Sequence, residues 1–372
     1  MKNVITVTLH RAENYGSILQ SYALQEFVKK LGQDNGVDIK YQILDVRPKM
    51  QERIYSIYKS GWNLSSAVKN CVAFFNYRKL KRKKEKFSSF AKELLCLTER
   101  YQDEQAPQEE QIDAQYYISG SDQVWNVRSQ DFEDYFYLDF VKNGRKISYA
   151  ASFGPLKIDW TKYNRDKYRN FLNAYDYIST REEGSAKNIE LLTEKKAEIH
   201  IDPTLLLDKE DWRKIQSAVN YKQGKYILLY CLEPSKEQLK IVKAISKKLH
   251  LPVVITKYNN KNDIFNTFVK KYDSGPQDFL ALIDNAALVI TSSFHGKAFS
   301  LIYRKKFYVL NGKMDNRISD ILEKTSLLER SIERFTDIEK VNLGEIDFSV
   351  AETFLANQKN RSEAYLKRAL EF

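Results

Sequence analysis

The sequence predicts an α/β fold of two Rossmann-like domains that face a cleft, followed by a C-terminal helix. Near the N-terminus a buried strand, a loop, a helix and a second strand follow one another, which is the order of a parallel sheet. The same alternation starts again near residue 225. Polar residues follow several strands directly, at the sheet edge where such folds bind ligands. The 372 residues also exceed what one typical core needs.

The first domain is predicted at residues 1–203. It begins with the strand VITVTL (4–9), the helix ILQSYALQEFVKKLG (18–32), which Gly32 should end, and the strand YQILDV (41–46). Residues 50–105 interrupt this order as a basic helical insert. Three further strands are predicted, and each ends in polar residues. The first ends in Gly120–Ser121–Asp122, the second in Ser152–Phe153–Gly154 and the third at Arg181.

The second domain is predicted at residues 204–345, and Pro203 should fix the turn that precedes it. Its elements alternate in the same way, with strands at 225–233, 251–256, 286–291 and 305–310, a helix around 235–249 and a helix with Pro276 at its first position. Residues 346–372 predict one amphipathic terminal helix.

Composition narrows the function classes. The net charge of +11 suits anionic partners such as phosphorylated small molecules or a lipid surface, and no zinc-finger or RNA-binding motif supports nucleic acid. Three scattered cysteines predict a reducing compartment, and no secretion signal, membrane span or metal-ligand spacing stands out. The expected location is the cytoplasm, with peripheral association at the inner face of the membrane as an open alternative.

The turn VITSSFHGKAFS (289–300) carries the strongest chemical signal. Ser292, Ser293 and His295 would supply donors at a helix start, and Gly296 would let a ligand approach the backbone. This set suits a phosphate, and a protonated His295 could act as a general acid. The alternative interpretation is a capped helix with a packed histidine.

Two charged residues follow strands of the first domain. Arg181 could hold a carboxylate or a phosphate with its planar fork, or it could form a salt bridge with Glu182, Glu183 or another acid. Asp122 could act as a base on a hydroxyl, with Trp125 as a stacking surface for a sugar, or it could cap a helix.

The segment RKLKRKKEK (78–86) carries seven basic residues. It predicts either a solvated helix face or a site of attraction to anionic lipid or to a lipid-linked pyrophosphate. The aromatic residues Phe74, Phe75 and Tyr77 precede it and could lie at the level of the lipid headgroups.

Six segments, taken in order, resemble the polysaccharide pyruvyl transferase family. They are NYGSILQSYAL (14–24), YISGSDQVWN (117–126), SYAASFG (148–154), ISTREEGSAKNI (178–189), IDPTLLL (201–207) and DFLALIDNAALVITSSFHG (278–296). Each segment alone is loosely defined, whereas the ordered set is specific. The basic insert and the C-terminal part of the chain add little to the resemblance.

The resemblance implies a glycosyltransferase-B-like fold and a defined reaction. The enolpyruvyl part of phosphoenolpyruvate would move onto two hydroxyls of one sugar and form a pyruvate ketal in a cell-surface polysaccharide. Arg181 and His295 would bind phosphoenolpyruvate, and Asp122 would act on the acceptor. Many members have arginine and leucine before the histidine, where Ser293 and Phe294 stand here, and Lys297 is a candidate replacement for that cation.

The predicted site therefore contains an acid, an anion clamp and a base, namely His295, Arg181 and Asp122. Phosphoenolpyruvate is the donor substrate, and neither a metal nor a separate cofactor is expected. The acceptor is a saccharide, with a polyprenyl-pyrophosphate link left open. Further substrate-binding residues are expected at Asn14, Tyr15, Gly16, Ser17, Ser121, Trp125, Ser152, Ser292, Ser293, Gly296 and Lys297.

Two other functions remain open from the sequence. The same architecture supports glycosyltransferases that use nucleotide sugars. A basic adaptor that docks on a membrane without catalysis is the second alternative.

Overall fold

The structure is a computed structural model that describes residues 1–61, 64–101, 107–218, 223–257, 266–312 and 316–372. Its strands are short and largely buried: β1 (Lys2–Val7), β2 (Ile39–Ile43), β3 (Tyr116–Ser119), β4 (Arg145–Ser148), β5 (Ser179–Thr180), β6 (Glu198–Ile199), β7 (Ile227–Tyr230), β8 (Val253–Ile255), β9 (Val269–Lys270), β10 (Leu288–Thr291), β11 (Phe307–Leu310) and β12 (Ser331–Ile332).

Helices alternate with these strands along most of the chain. They are α1 (Tyr15–Asp34), α2 (Lys49–Ile54), α3 (Leu64–Phe75), α4 (Tyr77–Leu94), α5 (Arg165–Asn173), α6 (Glu183–Leu192), α7 (Lys209–Ile215), α8 (Lys236–Leu249), α9 (Pro276–Asp284), α10 (Phe294–Ile302), α11 (Asn316–Lys324) and α12 (Ser349–Leu370). Among the described helices, none is long and apolar enough to cross a membrane.

The chain divides into two compact units. The first unit comprises Met1–Tyr55, Ala91–Leu207 and Ala356–Phe372, and the second comprises Ser56–Phe90 and Asp208–Leu355. Each unit contains a parallel sheet between helices, so the predicted α/β class with a C-terminal helix is confirmed.

The sheet of the first unit has the strand order β2-β1-β3-β4, and every pair is parallel. Ile5 of β1 lies opposite Gln42 of β2 and Tyr117 of β3. Strands β5 and β6 pair with each other, and single bridges such as Ala151 to Thr180 connect them to the segment after β4. The carboxyl ends of β3 and β5 and the residues after β4 therefore lie near one another.

The sheet of the second unit has the order β12-β11-β10-β7-β8-β9, again with parallel pairs. Its central strands read as continuous apolar runs, because both faces of a parallel sheet are covered by helices. Ile290 of β10 lies opposite Leu229 of β7 and Tyr308 of β11. This register places the turn after β10 at the carboxyl edge of the sheet.

Gly32 does not end the first helix, and that prediction is wrong. Helix α1 continues to Asp34, and Gly36 follows with a φ of 65°. A Cβ atom on Gly32 would lie 2.5 Å from the side chain of Ile39 and 2.8 Å from the carbonyl oxygen of Val37. Glycine is therefore required at residue 32 so that the helix can lie close to the start of β2, and the left-handed turn comes four residues later.

The basic insert is not wholly part of the first domain. Residues 56–90 group with the second unit, because α4 is bonded and packed there. Lys86 Nζ lies 2.6 Å from the Asp278 carboxylate, Arg82 lies 3.3 Å from Asp273, and Leu80 packs against the second core. Sequence order alone could not predict this, because the contacts span about 190 positions.

Candidate active site

The start of α1 points one side chain at the loop after β3. Asn14 is the N-cap, and its side-chain oxygen accepts a hydrogen bond from the Gly16 amide at 3.0 Å. Ser17 follows in the first helical turn, and its hydroxyl donates to Asp122 Oδ2 at 2.5 Å. Tyr15 is buried. Asn14 therefore shapes the helix start, and Ser17 orients the carboxylate of Asp122.

The turn that carries Asp122 has an unusual backbone. Gly120 and Asp122 have φ values of 114° and 73°. A Cβ atom on Gly120 would lie 2.5 Å from the carbonyl oxygen of Tyr149, so only glycine fits there. Ser121 is fully buried and donates its hydroxyl to the Ala150 carbonyl at 2.7 Å. Asp122 is thus held by a braced left-handed turn rather than placed as a helix cap.

Trp125 has no exposed surface, which corrects its predicted role as a sugar-stacking surface. Its ring stacks on Tyr137 at 5.4 Å and contacts Phe153 and Tyr175 at 5.4 and 5.5 Å. The indole therefore stabilises the core directly beneath the Asp122 turn.

Arg181 is buried among three carboxylates. Its guanidinium lies 2.8 Å from Asp202, 3.3 Å from Glu182 and 3.8 Å from Asp122. Burial disfavours the charged guanidinium, yet the carboxylates of Glu182, Asp202 and Asp122 outweigh burial and raise the pKa of Arg181 above its usual value. The salt bridge to Glu182, which was the alternative interpretation of Arg181, is present.

Besides Arg181, each of these carboxylates has further donors, and two of them accept at least two further hydrogen bonds. Glu182 accepts hydrogen bonds from Ser152 at 2.6 Å and from Ser185. Asp202 accepts from the amide and the hydroxyl of Thr204 at 3.0 and 2.8 Å. Ser152, which was expected to bind the substrate, is thus fully buried and donates a hydrogen bond to Glu182. Asp122 is the carboxylate of this cluster with the fewest donors in the described part of the chain, so it keeps the most acceptor capacity for the hydroxyl of a ligand.

The sequence analysis did not predict Glu182 and Asp202 as residues of the site. Both lie inside segments that carry the family resemblance, STREEGS and IDPTLLL. Glu182 was considered only as an ion-pair partner, and Pro203, which follows Asp202, only as a turn residue. The parallel pairing of β5 with β6 brings Arg181 and Asp202 together at one edge of the sheet. The position of both residues shortly after predicted strands was the sequence signal that could have identified the pair.

The second unit places its polar turn between β10 and α10. The Thr291 hydroxyl donates to the Tyr230 carbonyl at 2.6 Å and accepts from the Ser293 amide at 2.9 Å, which fixes the turn. Ser293 is the N-cap of α10, and within the described chain its side chain caps none of the helix amides. His295 lies in the first turn with 7% of its surface exposed. Backbone amides and His295 thus occur together at a positive helix end.

Three other residues of this turn have surroundings that the sequence did not predict. Gly296 has a role that the sequence did not predict, because a Cβ atom there would lie 2.2 Å from the Thr291 hydroxyl and 3.0 Å from the Tyr230 ring. It is required for packing of α10 on the sheet. Lys297 is fully buried, and its ammonium lies 4.8 Å from the centre of the Phe294 ring. Ser292 is half-buried beside the thiol of Cys231, whose pKa burial raises to about 11.

The structure thus groups the predicted residues into two sets. Within the first unit, Ser17, Asp122, Arg181 and Ser152 belong to one network that Glu182 and Asp202 complete. Within the second unit, Ser292, Ser293, His295 and Lys297 share one turn. The described residues contain no cluster of histidine, cysteine and acidic side chains that could hold a metal ion.

We predict that Ser17→Ala lowers kcat about 10-fold, the effect of losing one hydrogen bond to a charged group. The KM for each substrate should change much less, because the serine acts through Asp122. Ser21→Ala is the matched control, since Ser21 is buried one turn later on α1 and donates to the Ser17 carbonyl. Equal losses in both variants would show that Ser17 only stabilises the helix, and steady-state kinetics distinguish the two results.

Comparisons with known proteins identify the family and the fold of the chain. The family model for polysaccharide pyruvyl transferase matches residues 14–313. The fold is similar to UDP-GlcNAc 2-epimerase from Methanocaldococcus jannaschii, with a TM-score of 0.52, 11% identity and coverage of 99% of both chains. It is also similar to UDP-N-acetylglucosamine 2-epimerase from Rickettsia bellii, with a TM-score of 0.51, 10% identity and coverage of 99% of this chain and 98% of that one.

A search of curated protein sequences finds no significant match. The structural similarity, at such low identity, shows the fold alone, which is of the glycosyltransferase-B type. The family match spans most of the chain and includes both sets of site residues. The chain is therefore a transferase of the polysaccharide pyruvyl transferase family.

Proposed function

We propose that the chain transfers the enolpyruvyl group of phosphoenolpyruvate onto two hydroxyls of one sugar and so forms a pyruvate ketal. The observation that carries the proposal is the different charge of the two sets of site residues. The set in the first unit has three carboxylates around one guanidinium, whereas the turn in the second unit combines a helix N-terminus, hydroxyls and His295. The two sets suit a neutral polyol and an anionic donor respectively.

The first set suits the acceptor. Carboxylates accept hydrogen bonds from sugar hydroxyls, and Asp122 is the carboxylate with the fewest donors around it in the described chain. A donor with a phosphate and a carboxylate would be repelled here, because Arg181 is already outnumbered by acids within 3.8 Å. We therefore propose that Arg181 organises the carboxylates of the acceptor site, in place of the donor contact that the family resemblance implies.

The second set suits the donor. Amides at the N-terminus of α10 and the hydroxyl of Ser293 can donate to phosphate oxygens. His295 in the same turn can donate to the phosphate or deliver a proton to the methylene carbon. Lys297 adds a positive charge beneath the turn, although its ammonium lies over the Phe294 ring.

The proposed reaction balances without an outside reagent. A proton adds to the methylene carbon of phosphoenolpyruvate and makes it a methyl group, and the first sugar hydroxyl attacks the neighbouring cationic carbon. Breaking the bond between this carbon and the phosphate oxygen releases phosphate, and the second hydroxyl then attacks the same carbon to close the ketal. Of the two hydroxyl protons, one replaces the proton that the acid gave to carbon and the other leaves with phosphate.

Each residue has one task in this sequence. His295 delivers the proton to carbon, and Asp122, held by Ser17, removes protons from the hydroxyls. The acceptor is proposed to be a saccharide of a cell-surface polysaccharide, carried on a polyprenyl pyrophosphate.

Calorimetric titration tests the proposal against its rivals. We expect phosphoenolpyruvate to bind and UDP-sugars to give no heat of binding. Saturable binding of a UDP-sugar without binding of phosphoenolpyruvate would favour a nucleotide-sugar glycosyltransferase. Binding of neither donor, in a protein that is folded by circular dichroism, would contradict enzymatic transfer.

We further predict that turnover survives EDTA without measurable loss. Both the protonation and the stabilisation of phosphate are assigned to side chains and amides, so the reaction as proposed requires no metal. Phosphate release with and without chelator is the measurement. Complete loss that a divalent ion restores would contradict the assignment.

A further inference from the structure

We infer that the corner between α3 and α4 is a docking site for an anionic lipid surface. The corner, which we call the aromatic tip, comprises Phe74, Phe75, Tyr77, Arg78 and Lys79. Phe74 and Phe75 end α3 with 68% and 79% of their surfaces exposed, and their rings contact edge to face at 5.7 Å. Folding alone does not explain two adjacent exposed phenylalanines, because water contact with such rings is unfavourable.

The tip is held firmly by its neighbours. Tyr77 stacks on Tyr58 at 6.1 Å, and the side chain of Asn70 exchanges two hydrogen bonds with the backbone of Lys59, at 2.7 and 3.0 Å. Helix α4 is in turn bonded to the second unit through Lys86 and Asp278. The exposed rings are therefore presented by anchored helices.

The charges of the tip are not neutralised by an acidic residue of their own helical turn, and the ammonium of Lys79 donates to the neutral backbone carbonyl of Lys270 at 3.4 Å. Arg78 and Lys79 are exposed in the first turn of α4, and that turn contains no acidic residue. Positive charges at the positive end of a helix dipole are unfavourable, whereas an anion bound there would be stabilised. Lipid phosphates would supply that anion, and aromatic rings beside basic residues are typical of segments that insert at the headgroup level.

The structure narrows the role of the longer basic segment. Of the residues 78–86, Lys81, Arg82 and Lys86 pair with Glu85, Asp273 and Asp278. The pairs of Arg82 and Lys86 connect α4 to the rest of the second unit, whereas the Lys81 pair lies within the helix, and all three reduce the charge that remains for a partner. Replacing Arg82 would therefore remove a tertiary contact as well as a charge, and the informative positions lie at the tip itself.

A second copy of the chain fits the tip less well. Two phenylalanine rings bury at most about 500 Å², whereas each partner in a stable interface buries about 800 Å². In a two-fold dimer Arg78 and Lys79 would also face their own copies, which is repulsive. A bilayer has neither restriction, because it is continuous and negatively charged.

Sedimentation with vesicles tests the inference on the full chain. We expect binding to vesicles of phosphatidylcholine with an equal amount of phosphatidylglycerol, weaker binding with added salt, and no binding to phosphatidylcholine alone. The double change Phe74→Ser and Phe75→Ser should lower the partition coefficient ~10-fold or more. Arg78→Gln and Lys79→Gln should each lower it about fivefold.

Two controls separate the tip from general surface properties. Phe335→Ser removes another exposed ring of the second unit, and the pair Lys243→Gln and Lys247→Gln removes two exposed charges on α8. Both should bind like the wild type. Equal binding by the tip and control variants, or no binding by the wild type, would overturn the inference. It would also be overturned if the serine variant changed a dimer to a monomer in light scattering without a change in vesicle binding.

Discussion

His295→Gln should lower kcat by ~10²-fold or more while the protein stays folded. The proton that converts the methylene carbon into a methyl group is assigned to this imidazole, and glutamine keeps a polar side chain there without an acid of suitable strength. The residue lies in the first turn of α10, where the backbone is fixed by Thr291 rather than by the histidine. Thermal unfolding should therefore be close to that of the wild type.

The matched control is His250→Asn. His250 is an exposed residue that ends α8 with a φ of 54°, a conformation that asparagine tolerates well. Phosphate release from phosphoenolpyruvate in the presence of acceptor is the measurement. Near-normal turnover by His295→Gln, or an equal loss in both variants, would remove the histidine from the mechanism.

Arg181→Ala should destabilise the first unit by about 3–5 kcal/mol, because it leaves buried carboxylates without their counterion. Glu182 and Asp202 are 6% and 0% exposed, so water cannot replace the guanidinium. Denaturant unfolding measures the effect. Arg213→Ala is the control, because Arg213 donates two hydrogen bonds to Asp284 at a solvent-accessible position, and the change should cost at most about 1 kcal/mol.

Arg181→Lys separates the two catalytic assignments and keeps the charge if the alanine variant does not fold. An ammonium cannot reproduce the planar fork that reaches several carboxylates. We expect kcat to fall and the KM for acceptor to rise, with unchanged affinity for phosphoenolpyruvate by calorimetry. A selective loss of phosphoenolpyruvate binding would instead support the donor contact that the family resemblance implies, and would contradict our assignment to the acceptor site.

Local sequence signals predicted the elements of the fold well where they act within one helix or strand. Ser235 and Gln238 form a capping box, and α8 begins at Lys236 within the predicted range. Pro276 opens α9 as expected. Such signals depend on neighbouring backbone groups, so they can be identified without knowledge of the fold.

The surroundings of the site could not be predicted in the same way. Trp125 appeared suited to stacking on a sugar, yet Tyr137 and Tyr175, which are distant in sequence, bury it. Gly296 was interpreted as a site of ligand approach, yet Thr291 and Tyr230 require it for packing. Residue types indicate what a side chain can do, whereas its neighbours across the sheet decide what it contacts.

The Arg181 cluster could be predicted from the sequence in part. The position after a strand indicated a functional arginine, and the alternative of an ion pair was recognised. The number of carboxylates around it follows from the pairing of β5 with β6 and from the turn at Asp122, which are features of the tertiary structure. Because three carboxylates surround Arg181, we assign this residue to the acceptor site and not to the donor site.

Transfer in deuterated water tests the central claim most directly. The protein is incubated with phosphoenolpyruvate and a saccharide acceptor, and the product is analysed by mass spectrometry and proton NMR. The account predicts a saccharide heavier by one pyruvate less one water, with a ketal methyl group that carries one solvent deuterium and one phosphate released per transfer. A product that retains a vinylic methylene group, or an acceptor extended by a sugar from a nucleotide donor with no incorporation of pyruvate, would contradict it.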